Sequence, residues 1–316
     1  MNSQIMLAPM DGVLDHTMRD LLSSLGGIDR CVTEFARVTQ TPLNNKRLNT
    51  IYPEIHRGGH TAGGIPVYLQ LLGSDPQLMA QSAALAADRG AAGIDINFGC
   101  PAKSVCNHRG GSILLEEPAL VEQIVARTRQ AVDDAVPVTV KIRLGFNDSD
   151  NFNDNIQAII NGGANELCIH ARTRKQAYQP PAHWHMINAG DWPINIIANG
   201  EVWNYQDYLQ CRKQTGSRDI MLGRGVIACP DLPMMIKAQR LGLDYQPMQW
   251  QQILPLLIRL QQINIEAYPS KHAGNRTKQW LMYMQEQYSE AAATFEAVKR
   301  MNDSAEILRL LQQQLN

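Results

Sequence analysis

The chain has no paired cysteine motif, few aromatics and no excess of either charge, and each lack removes a class of protein. Its six cysteines, at 31, 100, 106, 168, 211 and 229, form no CxxC and no metal-ligand spacing. That speaks against a zinc centre and against a disulfide scaffold, so no metal is expected. Aromatic residues make up only 6%, and no apolar run approaches the ~18 residues a membrane helix needs. No membrane partner is therefore expected. The 29 Lys+Arg against 30 Asp+Glu leave a formal net charge of −1. This excludes a globally basic nucleic-acid coat but leaves room for a local basic patch. Met1-Asn2-Ser3-Gln4 has neither the basic nor the apolar stretch of a secretory leader. Unpaired thiols suit a reducing compartment, and the expectation is a cytoplasmic protein with no obligate protein partner. The 316 residues can bury a large core, as one barrel-sized domain with an appendage or as two medium domains.

What is present is a recurrence of short, apolar, β-branched runs. Strands are expected at 4–8, 31–35, 67–72, 93–97, 138–143, 166–171, 194–198 and 219–222. Continuous apolar runs suit strands buried on both faces. Helix-length segments lie between most of them. The clearest covers 76–89, with Asp75 as N-cap, Pro76 at the first helical position, Gly90 after its end, and Leu78, Ala83, Leu85 and Ala86 on its apolar face. Another starts near Pro118, with Val121, Ile124 and Val125 facing inward. Eight strands alternating with helices predict a TIM (β/α)8 barrel, the rival being a doubly wound open sheet. The barrel is preferred because nearly every strand ends in polar or turn-forming residues that would converge at its C-terminal face. The segment 41–64 carries little pattern and is expected as a rim loop. After about residue 243, Gln-rich segments of helical period cover 248–267, 277–288 and 304–315. The expected division is a catalytic barrel over 1–243 and a small all-helical domain over 244–316.

Candidate chemistry sits at the expected strand ends. Cys100 leaves strand 4 within Asn97-Phe98-Gly99-Cys100-Pro101, where glycine and proline hold a thiol at the barrel mouth; Cys106 lies in the same loop. Cys31, Cys168 and Cys211 read as buried small hydrophobes. Asn199-Gly200-Glu201 and Gly223-Arg224-Gly225 follow strands 7 and 8, the loops that commonly grip a phosphate in this fold, though either can be an ordinary glycine turn. Lys141 stands alone in an apolar strand and needs a partner. A flavin cation, a Schiff-base lysine and a structural ion pair all remain open for it. His170 can bond a cofactor or simply be a satisfied core group. Arg143, Arg172 and Arg174 would place several cations on one rim, a local footprint for a phosphate backbone. In the tail, Lys271, His272, Arg276 and Lys278 form a local basic patch within a segment of seven Lys/Arg and six Asp/Glu over 245–316.

These motifs together resemble one family. Leu7-Ala8-Pro9-Met10, Thr33-Glu34-Phe35, Gln70-Leu71-Leu72-Gly73, Asp95-Ile96-Asn97-Phe98-Gly99-Cys100-Pro101, Val140-Lys141-Ile142-Arg143-Leu144-Gly145, Ile169-His170-Ala171-Arg172-Thr173 and Ala198-Asn199-Gly200-Glu201 are similar to those of the tRNA-dihydrouridine synthases. The stretches 7–12, 33–38 and 276–281 resemble the bacterial subgroup that acts on uridine 16. The resemblance implies an FMN enzyme reduced by NADPH, with a barrel and a helical tRNA-binding domain. It implies that Ala8, Pro9, Met10, Gln70, Lys141, His170, Asn199, Gly200, Glu201, Gly223 and Arg224 bind FMN, and that Cys100 is the catalytic cysteine. Glu34, Arg37, Asn97, Arg143, Arg276, Lys278 and Lys299 would face tRNA; Lys299-Arg300 stands where the subgroup has an arginine, and Cys106 has no counterpart. The implied reaction places a hydride on C6 of a uracil and a proton from Cys100 on C5. Two other classes stay open: a dihydroorotate dehydrogenase-like reductase of a free pyrimidine, and a flavin-free barrel acting as an aldolase or an RNA binder.

Overall fold

The computed structural model describes residues 3–315, so Met1 and Asn2, part of the leader reading, lie outside the described residues. Nine strands form one sheet: β1 Ile5–Leu7, β2 Arg30–Val32, β3 Ala36–Arg37, β4 Val67–Leu72, β5 Ile94–Phe98, β6 Val138–Arg143, β7 Glu166–His170, β8 Asn195–Asn199 and β9 Asp219–Leu222. Every pairing is parallel, and β1 bonds both β2 and β9 while β2 bonds β4, so the sheet closes on itself. This is the expected eight-position TIM barrel, with β2 and β3 sharing one position.

The split of that position is a β-bulge. Val32 pairs with Tyr68 and Ala36 with Leu71, so four residues on one strand advance past three on the other. Thr33 supplies the reason: its hydroxyl, rather than a backbone carbonyl, accepts the N–H of Gln70 at 3.0 Å.

The helix Pro76–Asp88 forms as expected. Asp75 accepts from the N–H groups of Gln77 and Leu78, and Gly90 follows at φ 90°. Its buried face is made by Met79, Ala80, Ser82, Ala83 and Ala86, and Leu78 and Leu85 are only half-buried. Of the expected face, Ala83 and Ala86 are buried and the two leucines flank it, with Met79, Ala80 and Ser82 completing the buried side. That helix does bury Val121, Ile124 and Val125. The segment expected as a loop over 41–64 carries the helix Asn45–Ile51, capped by Asn44, and the 3-10 turn Pro53–Arg57. Tyr52 anchors it, donating its hydroxyl to the Val67 carbonyl at 2.5 Å.

By contacts the chain divides into two compact units. The first holds the chain up to His16 with Ile28–Val202 and Gln206–Gly223; the second holds Thr17–Gly27, Trp203–Tyr205 and the chain from Arg224 onward. The second unit contains helices Leu232–Arg240, Trp250–Ala267, Ser270–Ala273, Asn275–Met284, Ser289–Val298 and Ser304–Gln313. Helix Ser289–Val298 is absent from the sequence reading. Within this unit Trp280 donates its indole N–H to the Ile227 carbonyl at 3.0 Å, and the buried Thr277 hydroxyl donates to Gln261, whose amide reaches the Ser304 carbonyl.

Candidate active site

Side chains alternate along a strand, so one parity of each strand faces the barrel interior. The interior cluster contains Met6, Ala8, Val32, Tyr68, Cys168, Ile197 and Met221. Two residues further along the same strands, or in register with them, come Gln70, Asn97, Lys141, Arg143, His170, Asn199 and Gly223. The expected chemistry therefore gathers at the C-terminal mouth of the first unit.

Lys141 is the one residue of β6 that is not buried. Its Nζ donates to Asn199 Oδ1 at 2.8 Å, and Asn199 donates in turn to the Met221 carbonyl at 2.8 Å. A cation is thus held in the mouth by a neutral amide and keeps its charge available to a ligand. A structural ion pair, the plainest of its three readings, is not what the strand forms. Gly200 has φ +115°, and a Cβ there would lie 2.8 Å from His170 Cδ2. Only glycine fits beside that imidazole. A Cβ on Gly223 would meet Ala8 Cβ and Met10 Sδ at 3.6 Å each. Ala8, Met10 and Gly223 thus share one wall, with Pro9 between the first two. Glu201, itself at φ 60°, pairs with the fully buried Arg172. Arg172 also donates to the Gln179 carbonyl at 2.7 Å and lies 3.3 Å from His170 Nε2.

Cys100 is half-buried and follows β5 directly. The turn that carries it is clamped by Asn97, whose Oδ1 accepts the N–H groups of Gly99 and Cys100, both at 2.9 Å. Burial pushes the Cys100 thiol up from its ordinary range, so it stays protonated at neutral pH. That suits a proton donor rather than a thiolate nucleophile. Cys106 is buried behind it, its Sγ 3.6 Å from both the Cys100 carbonyl and Ser112 Oγ. Burial also pushes Cys168 up to about 11 and Cys211 up to about 12, consistent with inert core thiols.

Several residues expected on an outer rim lie inside. Asn97 is buried, and its Nδ2 donates to Gln70 Oε1 at 2.7 Å. Arg143 is buried too: it donates to the carbonyls of Gly99, Thr173 and Ala177, and its guanidinium lies 5.2 Å from the centre of the Tyr178 ring. Arg172 is fully buried, so of the three expected rim arginines only Arg174 remains half-exposed, over Phe146 at 5.1 Å. The backbone beyond the strand ends explains this: it lacks partners inside a barrel, and Asn97 accepts from its N–H groups while Arg143 and Arg172 donate to its carbonyls. Of the other expected tRNA contacts, Glu34 accepts the Gly12 N–H at 2.6 Å and Arg37 donates to the Ser104 carbonyl at 3.0 Å, both half-exposed.

In the second unit, Arg224 opens the short helix Arg224–Ala228 with its guanidinium 5.1 Å from the Trp203 ring centre. Arg276 reaches Gln279 at 3.3 Å. Lys278 donates to the Lys299 and Met301 carbonyls, at 3.3 and 2.5 Å, and so closes the end of helix Ser289–Val298. Lys299 pairs with Glu296.

Sequence reasoning missed two site residues, Asp95 and Tyr178. Asp95 accepts from Gln70 Nε2 at 2.7 Å and from the Thr139 hydroxyl at 2.6 Å, deep in the interior. Polar residues two apart at 95 and 97, in an otherwise apolar strand, were the available signal. Tyr178 is 51% exposed between His170 and Arg143, in an irregular stretch that carries no periodic signal. Among the described residues no group of three or more metal-ligating side chains occurs, and no helix is long and apolar enough to cross a membrane.

The model of the dihydrouridine synthase family matches residues 6–316 of this chain. A tRNA-dihydrouridine(16) synthase of Pseudomonas putida is 45% identical over 310 residues, covering 98% of this chain and 96% of its own. A tRNA-dihydrouridine(16) synthase of Shewanella oneidensis is 42% identical over 312 residues, covering 98% of each. Among solved structures, the DHODH of Eimeria tenella in complex with ferulenol superposes with a TM-score of 0.56 at 12% identity, over 75% of this chain and 80% of that one. At that identity the likeness establishes the barrel alone.

Proposed function

The chain belongs to the dihydrouridine synthase family, a family of flavin-dependent oxidoreductases, and from that premise we propose that it reduces uridine 16 of the tRNA D-loop to dihydrouridine. Membership sets aside the aldolase and free-pyrimidine readings. The observation that carries the proposal is Cys100: a thiol at the barrel mouth, held on a clamped turn and kept protonated by burial.

The residues present fit a flavin mononucleotide. Ala8, Met10 and Gly223 form an apolar wall, and a Cβ at Gly200 would crowd His170. Lys141 supplies the cation that a flavin ring system bonds, whereas the expected ligand Gln70 is fully buried with its amide bonded to Asp95 and Asn97. Asn199, Gly200, Glu201 and Gly223 line the same mouth, and Arg224, the next residue of that motif, is the proposed phosphate ligand. When bound and reduced by NADPH, FMN supplies the hydride for uracil C6. Cys100 delivers the proton to C5 from the opposite face, and its high affinity for that proton keeps it loaded at neutral pH. Asn97 and Arg143 hold the backbone around that thiol. Tyr178 offers an exposed aromatic surface to a base taken out of its stack.

Any unstacked uracil fits a mouth of this kind, so position must be chosen by the rest of the tRNA. Glu34 and Arg37 on the first unit, with Arg276, Lys278 and Lys299 on the second, are the proposed contacts, reading backbone charge and shape. The test is to incubate the purified enzyme with FMN, NADPH and unmodified tRNA, and to map dihydrouridine by mass spectrometry. Product at position 16 is expected. Product only at 17 or 20 would overturn the positional reading, and no dihydrouridine at all would overturn the reaction.

A further inference from the structure

His170 ends β7 beside a side chain that can only donate. Arg172 is fully buried, and its guanidinium is engaged in three directions. Its Nε donates to the Gln179 carbonyl at 2.7 Å, Nη2 pairs with Glu201, and Nη1 lies 3.3 Å from His170 Nε2. The short turn that brings the two residues together is closed by the Arg172 N–H on the His170 carbonyl at 2.7 Å. A guanidinium has five N–H groups and no acceptor, and it keeps its proton in a protein. The contact with His170 therefore runs one way: Nη1 donates and Nε2 accepts. An imidazole whose Nε2 accepts carries its ring proton on Nδ1.

The backbone of Gly200 fixes which edge of the ring faces Arg172. A Cβ on Gly200 would lie 2.8 Å from His170 Cδ2, 3.1 Å from His170 Nε2 and 3.6 Å from Arg172 Nη1. The Cδ2–Nε2 edge is thus the one against Gly200 and Arg172, and Nδ1 lies on the opposite edge. Turning the ring over would bring Cε1 to Nη1 and take the nitrogen acceptor away from a buried N–H. We propose that Arg172, itself held by Glu201, is a positioning residue for His170. It fixes the imidazole as the Nδ1–H tautomer, so that what His170 offers a ligand in the mouth is a donor. The phosphate and ring carbonyl oxygens of a flavin mononucleotide are acceptors of the matching kind. That bearing on the cofactor rests on the reading of the mouth as an FMN site, whereas the tautomer itself does not.

The experiment is long-range 15N–1H correlation NMR of the full chain with 15N-labelled histidine, at neutral pH, free of FMN and saturated with it. Each neutral tautomer gives its own pattern of ring nitrogens. The His170 signals among the eight histidines are identified by their loss in His170→Asn. In wild type the Nδ1–H form should exceed the Nε2–H form by at least ~10:1, the ratio one charge-assisted hydrogen bond sustains. FMN should leave that form in place. Arg172→Leu with Glu201→Leu removes the donor and leaves no buried charge, and it should lower the ratio by about tenfold or more. If that variant fails to fold, Arg172→Met with Glu201→Leu, which refills the space without a donor, takes its place. An Nε2–H or doubly protonated ring in wild type, a switch to Nε2–H when FMN binds, or a variant ratio equal to wild type overturns the proposal. The tautomer is read without tRNA and in the flavin-free protein as well, so failure here is distinct from failure of the proposed reaction.

Discussion

Removing the charge of Glu201 should destabilise the first unit without touching its core. The Arg172 guanidinium is fully buried, and its partner Glu201 is only 19% exposed. Glu201→Gln preserves shape and one acceptor but removes the carboxylate charge that faces the buried guanidinium. Removing one partner of a buried pair costs about 3–5 kcal/mol. The retained acceptor argues for the lower figure, about 3 kcal/mol, which for a unit of this size lowers Tm by about 6–12 °C. Far-UV circular dichroism melting of the flavin-free protein reads this directly. Two companions sharpen it. Glu201→Leu alone should be worse, since the acceptor at position 201 is then lost as well as its charge. Arg172→Leu with Glu201→Leu should be milder than Glu201→Leu alone, because no charge is then left buried. A Glu201→Gln shift under about 1 °C, the scale of a surface substitution, would refute the reasoning. So would a double variant no better than Glu201→Leu.

Three further outcomes are expected. Cys100→Ala should retain flavin and tRNA affinity while losing ~10²–10⁴-fold of dihydrouridine formation, the usual contribution of a general acid, whereas Cys106→Ala should keep most activity; single-turnover assays with mass-spectrometric readout decide, and the opposite pattern would reassign the acid. Lys141→Met should lower the flavin reduction potential or weaken FMN binding, because the cation that donates to the Asn199 amide is lost; spectroelectrochemistry and equilibrium dialysis measure both. Lys278→Ala should weaken tRNA binding and flatten its salt dependence by about one unit of slope, but it should also lower Tm, since Lys278 closes a helix through the Lys299 and Met301 carbonyls; a variant with altered tRNA affinity and unchanged melting would assign it to tRNA alone.

The strands were readable because buried parallel strands are written as unbroken apolar runs, and seven of the eight expected runs overlap a single strand closely. The second run hid its bulge, since Thr33 takes a backbone role that no propensity signals. The convergence of Gln70, Lys141, His170 and Asn199 followed from fold type alone. What each arginine does there did not: Arg143 and Arg172 look like rim charges in sequence, and burial against carbonyls and a carboxylate is a tertiary fact. Lys278 was similarly ambiguous, because a basic side chain at helical spacing can meet a phosphate or a neighbouring helix end equally well. The helix Ser289–Val298 escaped notice because its buried face is only Ala291, Thr294 and Val298, too small and too mixed to mark a period.

The bulge between Val32 and Ala36 also governs what lengths of chain this barrel tolerates. In an open sheet a strand that loses a residue can slide, and the edge absorbs the error. A closed sheet has no edge: the offsets between neighbouring strands must add to a fixed total around the ring. The pairings Val32 with Tyr68 and Ala36 with Leu71 spend one surplus residue within that total. A chain one residue longer at 33–35 would have to hold a second surplus residue or dislodge one of these pairings, whereas a chain one residue shorter would match three steps with three and lose the bulge that seats the Thr33 hydroxyl on the Gln70 N–H. Substitution there is a local event, whereas a change of length is a change of closure.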